Sequence, residues 1–142
     1  MRSVIEPGCQ FCEVIGGSRP ARVVLDDDVA VAFLDRSPVF KGHVLVVPRG
    51  HVVTLAELDH QLVGPLFERV QRVSARMPSA LGCDGTFVAI NNVVSQSVAH
   101  LHVHVVPRRR KDGLRGFFWP RVRYESEAEA DDFASRLSQA LV

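Results

Sequence analysis

The chain has 142 residues, 46% of them hydrophobic and 23% charged, with a net charge of +1. That length and balance suit one globular domain with a buried core, and they offer no general case for nucleic acid or an anionic membrane as partner. No apolar run is long enough to span a bilayer. Met1 to Gly8 holds no signal-peptide h-region, and three cysteines make no disulfide framework, so the reducing cytoplasm is the expected compartment.

In chain order, Cys9 to Ile15 reads as a short helical turn stopped by Gly16-Gly17. Val23–Leu25 and Val29–Leu34 read as two strands, with Asp26, Asp27 and Asp28 as the tight turn of a hairpin. Asp35 to Gly42 is a loop. His43–Val47 is a third strand, ended by Pro48. Thr54 and Glu57 have capping-box spacing. From there Leu55, Leu58, Leu62, Leu66, Val70, Val73 and Met77 recur at helical period, which predicts one long amphipathic helix closing near Pro78. That stripe is a core face. Thr86–Asn91 and His100–Val106 are the fourth and fifth strands. Arg108 to Arg123 is basic and irregular, and Ser126 with Glu129 caps a C-terminal helix. No repeat, low-complexity segment or interdomain linker interrupts the chain. The expectation is a single α+β domain over residues 1–142, with its core at about 9–110 and a tail at 111–142. It would be built on a mainly antiparallel five-stranded sheet with one long and one C-terminal helix.

Three of the six histidines fall in His100-Leu101-His102-Val103-His104-Val105-Val106. Period two puts the imidazoles on one face of a strand and the aliphatics on the other. Histidine has no strand propensity that would produce such a run. Imidazole binds transition metals, and it is also a nucleophile and acid/base that, when charged, pairs with phosphate. Neighbours on the face start about 7 Å apart at Cα, so one strand can serve metal and phosphate together.

Cys9 and Cys12 have zinc-knuckle spacing, and His51 with His100 would complete a Cys2His2 set. The competing readings of the pair are a redox dithiol, which lacks the preceding strand it needs, and two inert buried thiols. Cys83 has no partner in sequence and reads as a small core residue. Asn91, Asn92, Ser95, Gln96 and Ser97 form a strand-to-strand turn able to present anion donors beside the imidazoles, or simply to turn the chain. With His102 as nucleophile and His104 as donor, the set suits attack on phosphorus. Asp35 is an acceptor for ribose hydroxyls or an ordinary loop aspartate. His43 points toward the same region or is a satisfied surface histidine. His60 takes no role. Arg108 to Lys111 is a solvated turn or an attractor of polyphosphate.

The run His100 to Val106 resembles the His-φ-His-φ-His-φ-φ signature of the histidine triad (HIT) superfamily, of the bacterial zinc-containing, Hint-like type. The resemblance extends from Cys9-Gln10-Phe11-Cys12 through Leu34-Asp35, Pro38, Gly42 to Pro48 and His51 to Pro107-Arg108. It implies a nucleotide-binding α+β fold, usually a two-fold dimer, that cleaves or transfers at a nucleoside α-phosphate through a nucleotidyl-histidine on the middle histidine, here His102. His104 would hold the phosphate, and Ser97 would contact it and help the leaving group depart. Asn91, Ser95 and Gln96 would sit at the α-phosphate pocket. Asp35 would hold the ribose, with Phe33, Leu34 and Arg36 near base and sugar. Zinc-bearing members are similar at Cys9, Cys12, His51 and His100. Two departures stand out. The Asn91–Gln96 loop is shorter than usual, with Ser95 where the family has glycine. The aromatic segment Phe117-Phe118-Trp119 would either stack on a base or leaving group or anchor the tail.

The resulting expectation is a zinc-bearing hydrolase or nucleotidyltransferase acting on a purine nucleotide. A nucleotide-binding regulatory protein with little turnover is the alternative, and a purely structural metal protein using all three histidines is a third.

Overall fold

The computed structural model describes residues 5–115 and 121–142. The aromatic segment Phe117-Phe118-Trp119 lies outside the described residues. The chain forms two compact units, one running to Asp112 and one from Gly113 onward.

In the first unit, helix α1 (Gln10–Gly16) starts where the Cys9 side chain accepts from the Cys12 N–H, and it stops at Gly17, whose φ of 83° is the left-handed closure glycine allows. Strands β1 (Val23–Asp26) and β2 (Ala30–Leu34) form the expected hairpin. Asp27 Oδ1 ties its turn by accepting from the Val29 and Ala30 N–H groups, both at 2.9 Å. Strands β3 (Val44–Pro48), β4 (Gly85–Ala89) and β5 (Val103–Arg108) complete a sheet of order β1-β2-β3-β5-β4, antiparallel throughout.

Each face of the sheet has its own core. On one, Ala30, Ala32, Val44, Val46, Leu101, Val103 and Val105 pack with Leu58, Leu66, Val70 and Met77. Those last side chains are the predicted amphipathic stripe, and Leu55, Leu62 and Val73 pack partly buried beside them. On the other, Val31, Phe33, Leu45 and Val47 pack with Cys9, Phe11 and Cys12 of the α1 region.

Both ends of the long helix and the start of the fifth strand differ from expectation. The long helix α2 spans His60–Leu81, preceded by a separate 3-10 turn at Leu55–Glu57. Thr54 makes no side-chain cap, and Glu57 accepts from Val53 N–H. The cap is Asp59, accepting from Gln61 N–H at 2.8 Å. Pro78 does not end α2. It removes only one N–H bond, and the last turn is held from outside, where Arg109 donates to the Leu81 carbonyl at 2.8 Å. Strand β5 begins at Val103 rather than His100, because Leu101 N–H is turned to the Val52 carbonyl at 2.7 Å. The alternation survives that irregular start: Leu101, Val103 and Val105 are fully buried in the α2-side core.

The basic run is a tied turn: Arg108 makes two bonds to Asp112, at 2.7 and 3.0 Å, and Arg110 N–H donates to Asp84. In the second unit, α3 (Glu127–Ala140) carries the expected cap, Ser126 Oγ accepting from Glu129 N–H at 3.1 Å.

The segment from Asn91 to Ser97 is bolted to the loop before α2. Asn92 Oδ1 accepts from Leu55 N–H, and Gln96 Nε2 donates to the Val53 carbonyl at 2.6 Å. Ser95 has φ of 62°, so the left-handed conformation that suits glycine is kept without glycine. Val93 has φ of 69° and is 73% exposed. A β-branched residue is strained there and gains little from burial. Replacing Val93→Gly should therefore raise stability by about 1 kcal/mol, read as an upward shift in Tm, whereas Val93→Ile should not. An unchanged or lower Tm for the glycine variant would count against strain at this position.

Candidate functional site

Four of the predicted residues converge although the chain separates them by up to 91 positions. Cys9 Sγ lies 3.5 Å from His100 Nδ1, Cys12 Sγ lies 3.4 Å from His51 Nδ1 and 3.5 Å from His100 Nδ1, and the two Nδ1 atoms are 3.2 Å apart. Tetrahedral zinc, with bonds of about 2.3 Å to sulfur and 2.0–2.1 Å to nitrogen, sets S···N edges of roughly 3.5 Å and an N···N edge of roughly 3.4 Å. The donor set fits that ion. Outer contacts agree. His100 Nε2–H donates to the Pro48 carbonyl at 3.0 Å, which leaves the Nδ1 lone pair facing the cluster. Burial pushes His100 down to about 4, which keeps it neutral as a ligand must be. Burial pushes the Cys12 thiol up, so a cation is what makes thiolates favourable in this place. Glu6 N–H and Cys12 N–H point at Cys12 Sγ and Cys9 Sγ respectively, at 3.4 and 3.3 Å.

His102 sits one step along the same segment. Its Nδ1–H donates to the carbonyl of His100 at 2.7 Å, so Nε2 carries the lone pair. The ring is 98% buried, with Phe11 edge-on at a centroid distance of 5.0 Å. His104 belongs to a second chain of hydrogen bonds. Val39 N–H donates to His43 Nδ1 at 3.1 Å, and the backbone can only donate there. His43 is therefore protonated on Nε2, which donates to His104 Nδ1 at 2.9 Å. That leaves His104 protonated on Nε2, a buried N–H with no hydrogen-bond partner among the described residues. Burial, then the neighbouring imidazoles His102 and His43, push His104 down to about 4. It presents a neutral donor at pH 7. Asp35, His43 and His104 bring ligand atoms within 4.8 Å of one another, but the proton fixed on His43 Nε2 makes this a hydrogen-bonded relay instead of a metal site.

His102, His104 and Ser97 line a cavity of about 1140 Å³, a size suited to a small ligand. Phe33, Leu34, Asp35 and Arg36 line it too, as does Phe11. Asp35 Oδ1 accepts from Ser37 N–H at 2.9 Å, which fixes the carboxylate, and Oδ2 lies 3.7 Å from His43 Nε2. Asn91, Ser95 and Gln96 are not in this wall; Gln96 uses its amide to tie the loop. Sequence reasoning gave no role to Phe11, Arg22, Lys41 or the Val39 N–H. The position of Phe11 inside C-x-F-C was a usable signal for the first. A backbone N–H leaves no mark in sequence.

Residues 17–111 match the family model of the HIT domain. An adenylylsulfatase of Arabidopsis thaliana is 32% identical over 114 residues, covering 79% of this chain and 58% of that protein, so the chain spans under two thirds of it. An adenosine 5'-monophosphoramidase of Schizosaccharomyces pombe is 31% identical, covering 79% of this chain and 83% of that protein. A zinc-bound histidine triad family protein from Mycobacterium smegmatis superposes with a TM-score of 0.72 at 33% identity, covering 94% of this chain and 97% of its own. With more than half its length matched, and His102 and His104 at the wall of the cavity, the chain belongs to the HIT family.

Proposed function

We propose that the chain is a nucleotidyl hydrolase or transferase that cleaves at the α-phosphate of a purine nucleotide through an adduct on His102. The observation that carries this is the tautomer of His102. With Nδ1–H held by the His100 carbonyl at 2.7 Å, the Nε2 lone pair is the free nucleophile at the cavity wall. The α-phosphate would accept from the orphaned His104 Nε2–H and from Ser97, and Asp35 would accept from the ribose hydroxyls between Phe33, Leu34 and Arg36. His102 Nε2 forms the bond to phosphorus as the bond to the leaving group breaks, and the leaving group departs with a proton taken from the Ser97 hydroxyl or, through it, from solvent water. Water, or another acceptor, then attacks phosphorus in line, returns a proton by the same Ser97 route and frees His102 as the neutral imidazole. Donors fixed before the substrate arrives stabilise charge on the phosphoryl oxygens without reorganising. Similarity to an adenylylsulfatase and a monophosphoramidase supports an adenylate with a variable leaving group.

Zn2+ would be held by Cys9, Cys12, His51 and His100, a closed four-ligand set whose contribution is structural. It needs reduced thiols, in keeping with a cytoplasmic setting. A two-fold dimer is part of the same reading, supported by β4, which is hydrogen-bonded on one side only among the described residues. The alternative, nucleotide binding with little turnover, draws support from the position of Asn91, Ser95 and Gln96 outside the cavity wall.

Intact-protein mass spectrometry after brief exposure to an adenosine phosphoramidate should show an AMP-sized adduct or released AMP in wild type. His102→Ala and His102→Gly should lose both, with turnover down about 10³-fold or more. Undiminished turnover in those variants would overturn the mechanism, and AMP binding without adduct or release would favour the regulatory alternative. Elemental analysis should find one zinc per chain, lost in Cys9→Ser with Cys12→Ser and in His51→Ala, but kept in His104→Ala. Stoichiometric metal in the double cysteine variant would sink the assignment. Sedimentation at micromolar concentration should give a dimer; monomer alone would refute that part.

A further inference from the structure

Over the whole chain charge is balanced, with 17 Lys and Arg against 16 Asp and Glu. The cavity is not balanced. Arg22, Arg36 and Lys41 all line it, all are exposed, and none of the three is in an ion pair among the described residues. Arg19 lines it as well but is held by Glu13 at 2.8 Å. The carboxylate facing these cations is Asp35, one oxygen of which is already engaged by Ser37 N–H. Three unpaired cations around one partly committed carboxylate leave a positive field that favours an anionic occupant.

Their placement says which end of a ligand that anion belongs to. Arg22 precedes β1, and its carbonyl accepts from Leu34 N–H at 3.0 Å. Arg36 follows Asp35 directly. Lys41 is on the loop that closes where Asp35 N–H donates to the His43 carbonyl at 2.9 Å. All three therefore gather on the β1–β2–β3 side, around Asp35. The reacting phosphate has its own partners on and before β5, the donors Ser97 and His104 and the nucleophile His102. A nucleoside monophosphate would satisfy the histidine side and leave the cations facing water.

We propose that Arg22, Arg36 and Lys41 form a second anion subsite at the ribose end of the cavity, and that the preferred ligand is a nucleotide bearing a further phosphate on its 2′- or 3′-hydroxyl. This rests on the orientation in the proposed function, with the α-phosphate at His102 and the ribose at Asp35. Asp35 then accepts from whichever hydroxyl stays free, and the guanidinium groups and ammonium take the added phosphate.

Calorimetry at fixed salt, with AMP, adenosine 2′,5′-bisphosphate and adenosine 3′,5′-bisphosphate, reads this without needing turnover. One bisphosphate should bind at least about tenfold tighter than AMP, a difference of about 1.4 kcal/mol, and the two arms identify the hydroxyl. The exposed pair Arg22→Gln with Lys41→Gln should bring that ratio close to one. In parallel, kcat/KM for adenosine 5′-phosphoramidate and for its 2′- and 3′-phosphorylated forms should show the same preference and the same loss. Equal affinity for AMP and both bisphosphates overturns the subsite, whether or not phosphoramidate is hydrolysed. A double variant that loses AMP affinity as much as bisphosphate affinity overturns it too, since the cations would then attract any anion. Tight bisphosphate binding, lost in the double variant but with no hydrolysis of any substrate, upholds the subsite and rejects the catalytic reading.

Discussion

His100 is the hinge between the two chemistries of this molecule. Its ring is wholly buried, with Nδ1 among the thiols and Nε2–H on the Pro48 carbonyl. Its own carbonyl holds Nδ1–H of His102. One residue thus links the Cys/His cluster, the end of β3 and the orientation of the candidate nucleophile. Nothing in the cavity needs to touch the cluster for the cluster to matter. Whatever fixes the His100 backbone also fixes which nitrogen of His102 is free. The positive charge that develops on His102 in an adduct would face that same carbonyl dipole.

His104 is set by a different route and to a different end. A backbone N–H at Val39 decides the tautomer of His43, and His43 decides that of His104. Burial keeps both imidazoles below their ordinary range. The donor proposed for a phosphate is consequently neutral when the cavity is empty, and an arriving phosphate would supply the opposite charge that raises it again. A neutral N–H of fixed direction avoids placing a charge beside two other imidazoles. In the proposed reading, phosphate recognition is a matter of orientation before it is one of charge.

How much of this was legible depended on what leaves a mark in sequence. Strict alternation from His100 to Val106 does, because a parity pattern has few other causes, and it survived even though the strand itself begins later. The convergence of Cys9, Cys12, His51 and His100 was legible from the spacing of the two cysteines and the placing of the two histidines. The start of α2 was not. Leu55 and Leu58 fit the period of a helix that in fact begins at His60, and the capping-box spacing of Thr54 and Glu57 drew attention away from Asp59 just beyond it. The loop after β4 was only half legible. Ser95 was visible as a departure from glycine, but its left-handed φ was not. The fixed tautomers rest on a main-chain donor that any residue at position 39 other than proline would provide, and no reading of side chains finds it.

The two-faced segment also guards the accuracy of folding. In β5, Val103 and Val105 face the α2-side core while His104 looks the other way, paired across from Leu45 and Ala89. Sliding that strand by one position against β3 and β4 would exchange its faces. Imidazoles would then enter an aliphatic layer offering no polar partners, and valines would line a polar cavity. Each wrong insertion would add its own desolvation penalty, of roughly 1–3 kcal/mol. Misregistered chains are thereby selected against during folding by the same residues proposed to do the chemistry. The histidine parity doubles as a proofreading mark for the sheet, and a mutation that makes the histidine face greasier would blunt that mark even where it left the native packing intact.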